Sequence, residues 1–124
     1  MSIAWGKHCM SQTSKSYEKI WVTIDQIPNG KVASYGQIAD LAGLPGRARL
    51  VGKSLGFVPQ DRNVAWYKVL RSSGQIAFPK GSDQALLQTG LLQEDGVLVL
   101  NNRVKLADFQ WQPNLGELLF GLQY

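Results

Sequence analysis

Side chains able to make or break covalent bonds are scarce in this 124-residue chain. Its one cysteine, Cys9, stands beside its one histidine, His8, in a stretch without apolar periodicity. A lone thiol excludes an internal disulfide framework, and one Cys–His pair falls short of a metal site, so no metal or cofactor is expected. Cations are the more informative residues. Between Pro45 and Lys80 stand seven (Arg47, Arg49, Lys53, Arg62, Lys68, Arg71 and Lys80) against one acid, Asp61. Elsewhere six Lys/Arg face eight Asp/Glu, so the net charge of +4 is a local surplus. Such a surplus suits a surface that meets phosphates, and equally a solvated basic face.

The length supports one domain, and 44% apolar residues can supply its core. No apolar run approaches the roughly 18–20 residues that span a bilayer, and Met1 to Ser14 does not read as a secretory signal. A cytoplasmic setting without membrane contact is expected. Residues 1–14 read as a loose lead-in. Tyr17, Ile20, Trp21, Ile24 and Ile27 then share one helix face, with Ser14 or Ser16 as cap and Glu18 in the first turn. Pro28-Asn29-Gly30 ends that helix.

Ser34-Tyr35-Gly36-Gln37 is a capping box that opens a short helix stopped at Gly43. After the turn Leu44-Pro45-Gly46, a basic helix from about Arg47 to Leu55 reaches a terminator at Gly56. Two short helices across a tight turn, the second rich in Arg and Lys, form a helix-turn-helix candidate. Beyond it, Trp66–Leu70 and Gln75–Phe78 read as extended segments around Ser72-Ser73-Gly74. Residues 82–94 read as a helix capped by Ser82 with Leu86, Leu87 and Leu91 inward. Asn101-Asn102 tolerates positive φ and suits a two-residue hairpin between Val97–Leu100 and Arg103–Leu106. The expected fold is mostly α with a small β-hairpin wing, a winged helix-turn-helix over residues 15–107, followed by a tail at 108–124.

Three blocks carry a more specific signal: Val32-Ala33-Ser34-Tyr35-Gly36-Gln37-Ile38-Ala39, Ala48-Arg49-Leu50-Val51-Gly52, and Val64-Ala65-Trp66-Tyr67-Lys68-Val69. In order and separation they resemble the DNA-binding domain of the alkylguanine-DNA alkyltransferases over roughly Tyr17 to Leu106. That family's active-site motif is Pro-Cys-His-Arg-Val, whose cysteine accepts the alkyl group. Here Trp66 stands in place of the nucleophile and Tyr67 in place of its base. Indole offers no lone pair for displacement, and tyrosine near its ordinary pKa is a poor base at neutral pH. Asp95 aligns with the acid that orients the family's histidine and has no imidazole to orient. Cys9 lies outside the matching region. A tryptophan at this position is the pattern of the alkyltransferase-like proteins, the non-enzymatic branch. They bind alkylated guanine and pass the site to nucleotide excision repair. Ala65 and Lys68 depart from that branch's usual proline and arginine.

The resemblance implies a role for each site residue. Arg49 is the finger that replaces the extruded base, its flat guanidinium stacking on neighbours and bonding the orphaned partner. Tyr35 helps rotate the 3′ phosphate. Ala48 and Leu50 border the finger on a helix that enters the minor groove, while Arg47, Lys53 and Arg71 serve phosphates. Trp66, Tyr67 and Val69 line the lesion pocket, and Pro59, Phe78 and Lys80 close over the base. The implied partners are duplex DNA containing alkylated guanine and nucleotide excision repair proteins, in bacteria the damage-recognition ATPase, with the chain a monomer. Two other readings remain open: a winged helix-turn-helix regulator of a fixed sequence, and a residual alkyltransferase with an unorthodox acceptor.

Overall fold

A computed structural model of the chain describes residues 12–113. His8, Cys9 and the apolar run from Leu115 lie outside them. Helix α1 covers Gln12–Asp25 and buries the predicted face of Tyr17, Ile20, Trp21 and Ile24. It starts earlier than its caps would require: Ser14 and Ser16 lie inside it rather than at its N-cap. Glu18 is therefore beyond the first turn, where it pairs with Arg62 instead of the helix dipole.

Strand β1 (Ala33–Ser34) leads directly into α2 (Tyr35–Leu41). Ser34 caps α2 by accepting the Gln37 backbone N–H at 3.1 Å. The capping box is one-sided, because the Gln37 side chain turns away, donating to the Trp111 carbonyl and accepting from Gln110 Nε2. Gly43 (φ +79°) and Gly46 (φ +78°) supply the left-handed backbone of the helix-turn-helix corner. Helix α3 (Ala48–Leu55) follows. It ends at Gly56 as expected, with the cap right-handed (φ −80°) and the last turn closed by Gly56 N–H to Lys53 O. Trp21 Nε1 donates to Ser54 O at 3.3 Å, which fixes α1 across α3.

Trp66–Lys68 form a 3-10 turn rather than the expected strand. Only Val69–Leu70 is extended, as β2. It pairs in parallel with β1, Ala33 opposite Val69 and Ser34 opposite Leu70, not with Gln75–Phe78. Long-range pairing thus prevails over the local hairpin pattern, although the turn at 72–74 forms and Arg71 N–H bonds Gln75 O. Helix α4 (Asp83–Glu94) is capped by Ser82 as expected. Its inner face is not the expected one: Ala85, Gln88 and Leu92 are buried, whereas Leu86 and Leu87 are 62% and 57% exposed. The rotation sets Gln88 under the 3-10 turn, where its amide bonds two carbonyls.

Strands β3 (Val99–Leu100) and β4 (Arg103–Val104) form the wing. Both turn residues, Asn101 (φ 55°) and Asn102 (φ 63°), are left-handed, as a two-residue hairpin demands. A last turn, α5 (Leu106–Phe109), returns the chain to the body. Val32 brackets it through Val32 N–H to Phe109 O and Trp111 N–H to Val32 O, and Trp111 is buried in the core. Residues 108–111, read from the sequence as tail, therefore pack on the body. No helix among the described residues is long and apolar enough to cross a membrane.

Candidate nucleic-acid interface

Helix α3 buries Val51 and Ser54 and turns Arg47, Arg49 and Lys53 to solvent. Ala48 and Leu50 are half-buried beside them. Together with Gly46 these residues line an open depression of about 510 Å³. The spacing explains the display: with Val51 and Ser54 fixed inward, positions 49 and 53 fall on the outer side of a 3.6-residue helix, while Arg47 is exposed as the N-cap residue before it. Arg49 thus stands exposed, with two further cations, Arg47 and Lys53, on either side of it in the sequence.

Tyr35 is brought to this surface by the parallel pair. Because Ser34 faces Leu70, the next residues along, Tyr35 and Arg71, emerge side by side. Burial raises the pKa of the Tyr35 phenol, and the Arg71 cation only partly offsets this. The hydroxyl therefore stays protonated at neutral pH, free to donate to a phosphate oxygen. A Cβ added at the exposed Gly52 of α3 would lie 3.7 Å from the Tyr35 ring, so the ring lies against the recognition helix.

The aromatic site is built on the 3-10 turn. Trp66 and Tyr67 are half-buried with ring centroids 6.1 Å apart, and Phe78 meets Trp66 edge-on at 6.4 Å. Asn102 of the wing donates to the Phe78 carbonyl at 3.0 Å, which holds the Phe78 loop over the turn. Burial raises the Tyr67 pKa, and Asp95 and Glu94 push it further the same way. Tyr67 is consequently no phenolate and no base at neutral pH.

The other three residues expected at the pocket differ in burial. Val69 is 1% exposed, within the core, because β2 must pack inward against β1. Lys80 is exposed and bonds Asn101 at the wing tip. Pro59 is exposed in the loop after α3, where its carbonyl accepts Arg62 N–H at 3.0 Å.

Two of the seven cations in the basic segment are structural. Arg62 bonds Glu18 at 3.0 Å and Asp25 at 3.4 Å and lies over the Trp21 ring, 5.4 Å from its centroid. Asp25 nonetheless has a raised pKa, because its desolvation outweighs the attraction of Arg62. Arg62→Ala should therefore lower the melting temperature through lost packing on Trp21, while leaving the salt dependence of DNA binding at the wild-type slope. A shallower slope would place Arg62 on the phosphates.

Lys68 is the other. Its side chain is 4% exposed, and its ammonium lies 3.3 Å from Asp95 and donates to the carbonyls of Ile27 and Pro28 at 3.3 and 3.2 Å. Asp95 Oδ2 accepts Gly30 N–H at 2.9 Å. With no imidazole to orient, Asp95 instead ties the α1–β1 loop, the 3-10 turn and the end of α4 into one knot. Gln88 Nε2 adds bonds to the Tyr67 and Val69 carbonyls at 2.9 and 3.3 Å. Gln88 was not anticipated from the sequence; a glutamine one helical turn from both Ala85 and Leu92 was its only signal. Among the described residues, no group of three or more His, Cys, Asp or Glu gathers to hold a metal ion.

Comparison with known proteins shows the family. Residues 15–97 match the family described as 6-O-methylguanine DNA methyltransferase, DNA binding domain. A DNA base-flipping protein of Vibrio parahaemolyticus is 42% identical over 96 residues, 77% of this chain and 94% of that protein. Alkyltransferase-like protein 1 of Schizosaccharomyces pombe is 31% identical over 78% of this chain and 94% of its own length. The crystal structure of S. pombe Atl1 in complex with damaged DNA containing O6-carboxymethylguanine matches with a TM-score of 0.73 at 30% identity, covering 81% of this chain and 97% of that one. Methyltransferases of the same family also match, one from Shigella flexneri at 35% identity over 66% of this chain and 47% of that protein. With its helix-turn-helix, wing and Trp66 in the nucleophile's position, the chain belongs to the alkylguanine-DNA alkyltransferase family, on its alkyltransferase-like branch.

Proposed function

We propose that this protein recognises O6-alkylguanine in duplex DNA by turning the nucleotide out of the stack, transfers no alkyl group, and marks the site for nucleotide excision repair in the cytoplasm. One observation carries the reading: an indole occupies the position of the family's nucleophile, on a turn held by Lys68, Asp95 and Gln88. Unstacking a nucleotide costs a few kcal/mol, least where pairing is already damaged. Arg49 offsets that cost by filling the gap. The half-buried Trp66, with Phe78 across it, gives the extruded base an aromatic wall, where stacking contributes about 1–3 kcal/mol.

The cations of α3, with Arg71, hold the duplex through phosphates, so affinity is salt-dependent and nearly indifferent to sequence. The S. pombe relative in complex with damaged DNA supports the choice of ligand. An excision-repair damage-recognition ATPase is the partner proposed to receive the flagged site, the protein acting as a monomer. Mass spectrometry tests the non-catalytic half. After prolonged incubation with excess O6-methylguanine duplex, protein and DNA should both keep their starting masses. A gain of one methyl group by the protein would make it a transferase.

A further inference from the structure

A second basic surface lies on the wing, outside the helix-turn-helix. Gln75 bridges Arg103 across the hairpin edge, and its carbonyl accepts Arg71 N–H at 3.0 Å. Arg71 in turn is within electrostatic reach of Tyr35, whose ring lies against α3. The exposed Arg71 is thus joined through Gln75 to the wing on one side and acts on Tyr35, beside α3, on the other. At the wing tip a depression of about 370 Å³ is lined by Gln75, Lys80, Leu100, Asn101, Asn102 and Arg103. Lys80 and Arg103 are both exposed, and the former's polar partner is the uncharged Asn101 side chain. The nearby Lys105 differs, since it faces Asp108 at 3.9 Å.

We propose that this depression binds a backbone phosphate of the duplex, making the β3–β4 wing a second DNA contact that flanks the lesion site. The proposal rests on the DNA-binding reading of α3 and adds a phosphodiester seat to it. Its chemistry fits: two cations and side-chain amides surround a concave site, and an anionic oxygen is a stronger acceptor for Lys80 than a neutral amide oxygen. Its rigidity fits as well. Left-handed Asn101 and Asn102 fix the turn, and Asn102 is further tied to the Phe78 carbonyl, so the backbone that shapes the depression is held before DNA arrives. Since Phe78 also packs on Trp66, a phosphate held here would hold the wing and the aromatic site in one register along the duplex.

The test is affinity against salt, measured on matched 20-base-pair duplexes with and without O6-methylguanine. Arg103→Gln should flatten the log–log slope by about 0.9, the loss of one phosphate contact. The wild-type advantage should then shrink roughly threefold to fourfold between 50 and 200 mM salt. Lesion preference should be unchanged, Arg103→Lys should retain the slope, and Lys80→Gln/Arg103→Gln should flatten it further. A wild-type slope in Arg103→Gln would overturn the proposal, as would a loss confined to damaged DNA. Failure of the damage-sensing reading would show separately, as wild-type protein binding both duplexes alike.

Discussion

Arg49→Ala is expected to remove most of the preference for alkylated over undamaged duplex, while Lys53→Ala weakens both equally. The two side chains stand on the same exposed face of α3, four residues apart and both charged. Their roles differ in what they meet. A guanidinium inserted in the stack contributes only when a base has left it. That energy appears in the damaged complex and scarcely in the undamaged one, where extrusion costs more. Leaving the gap unfilled should lose roughly 2 kcal/mol, about thirtyfold in the ratio of affinities. On the proposed reading Lys53 meets a phosphate in either case, so its loss should flatten both salt slopes by about 0.9 and leave the ratio intact. If both variants reduced overall affinity and neither changed the ratio, flipping would be the wrong mechanism for this chain.

The largest stability effect should come from the knot under the 3-10 turn. Asp95→Asn leaves the buried Lys68 ammonium with neutral oxygens alone, the Ile27 and Pro28 carbonyls and at best the new amide, and no counter-charge. Lys68→Met leaves the Asp95 carboxylate with the Gly30 amide alone. Removing one partner of a buried pair costs about 3–5 kcal/mol, because the surviving charge stays desolvated. In a domain of this size that lowers the melting temperature by roughly 10–20 °C. Lys68→Met/Asp95→Asn strands no charge and should recover a substantial part of the loss. Strictly additive losses in the double variant would show that the two groups do not act on one another. Lesion preference should fall with each single substitution even below the melting range, since Trp66 and Tyr67 ride on the turn that Lys68 anchors.

Much of the interface was legible because its signals are local. The Ser34 cap, the glycine corner after α2, the outward cations of α3 and the Asn101-Asn102 hairpin each follow from a few adjacent residues, and each stands where expected. What the sequence concealed depends on partners far along the chain. Val69 reads as the edge of a pocket until its parallel pairing with Ala33 turns it into the core. Leu86 and Leu87 read as an inner face because they are the most apolar residues there. The helix instead turns Gln88 inward, where its amide meets two carbonyls of the 3-10 turn. Asp95 and Lys68 cannot be paired by inspection across 27 residues, nor does the sequence separate Arg62, held by Glu18, Asp25 and Trp21, from the exposed cations of its segment.

The central claim is recognition of a lesion without chemistry, and one titration addresses it. The protein would be titrated at fixed salt against two duplexes that differ only in a single O6-methylguanine. Recognition by flipping predicts clearly tighter binding to the damaged duplex, with little dependence on the surrounding sequence. Equal affinity for the two duplexes would contradict it, and would leave a scaffold of this family bound to DNA for some other task.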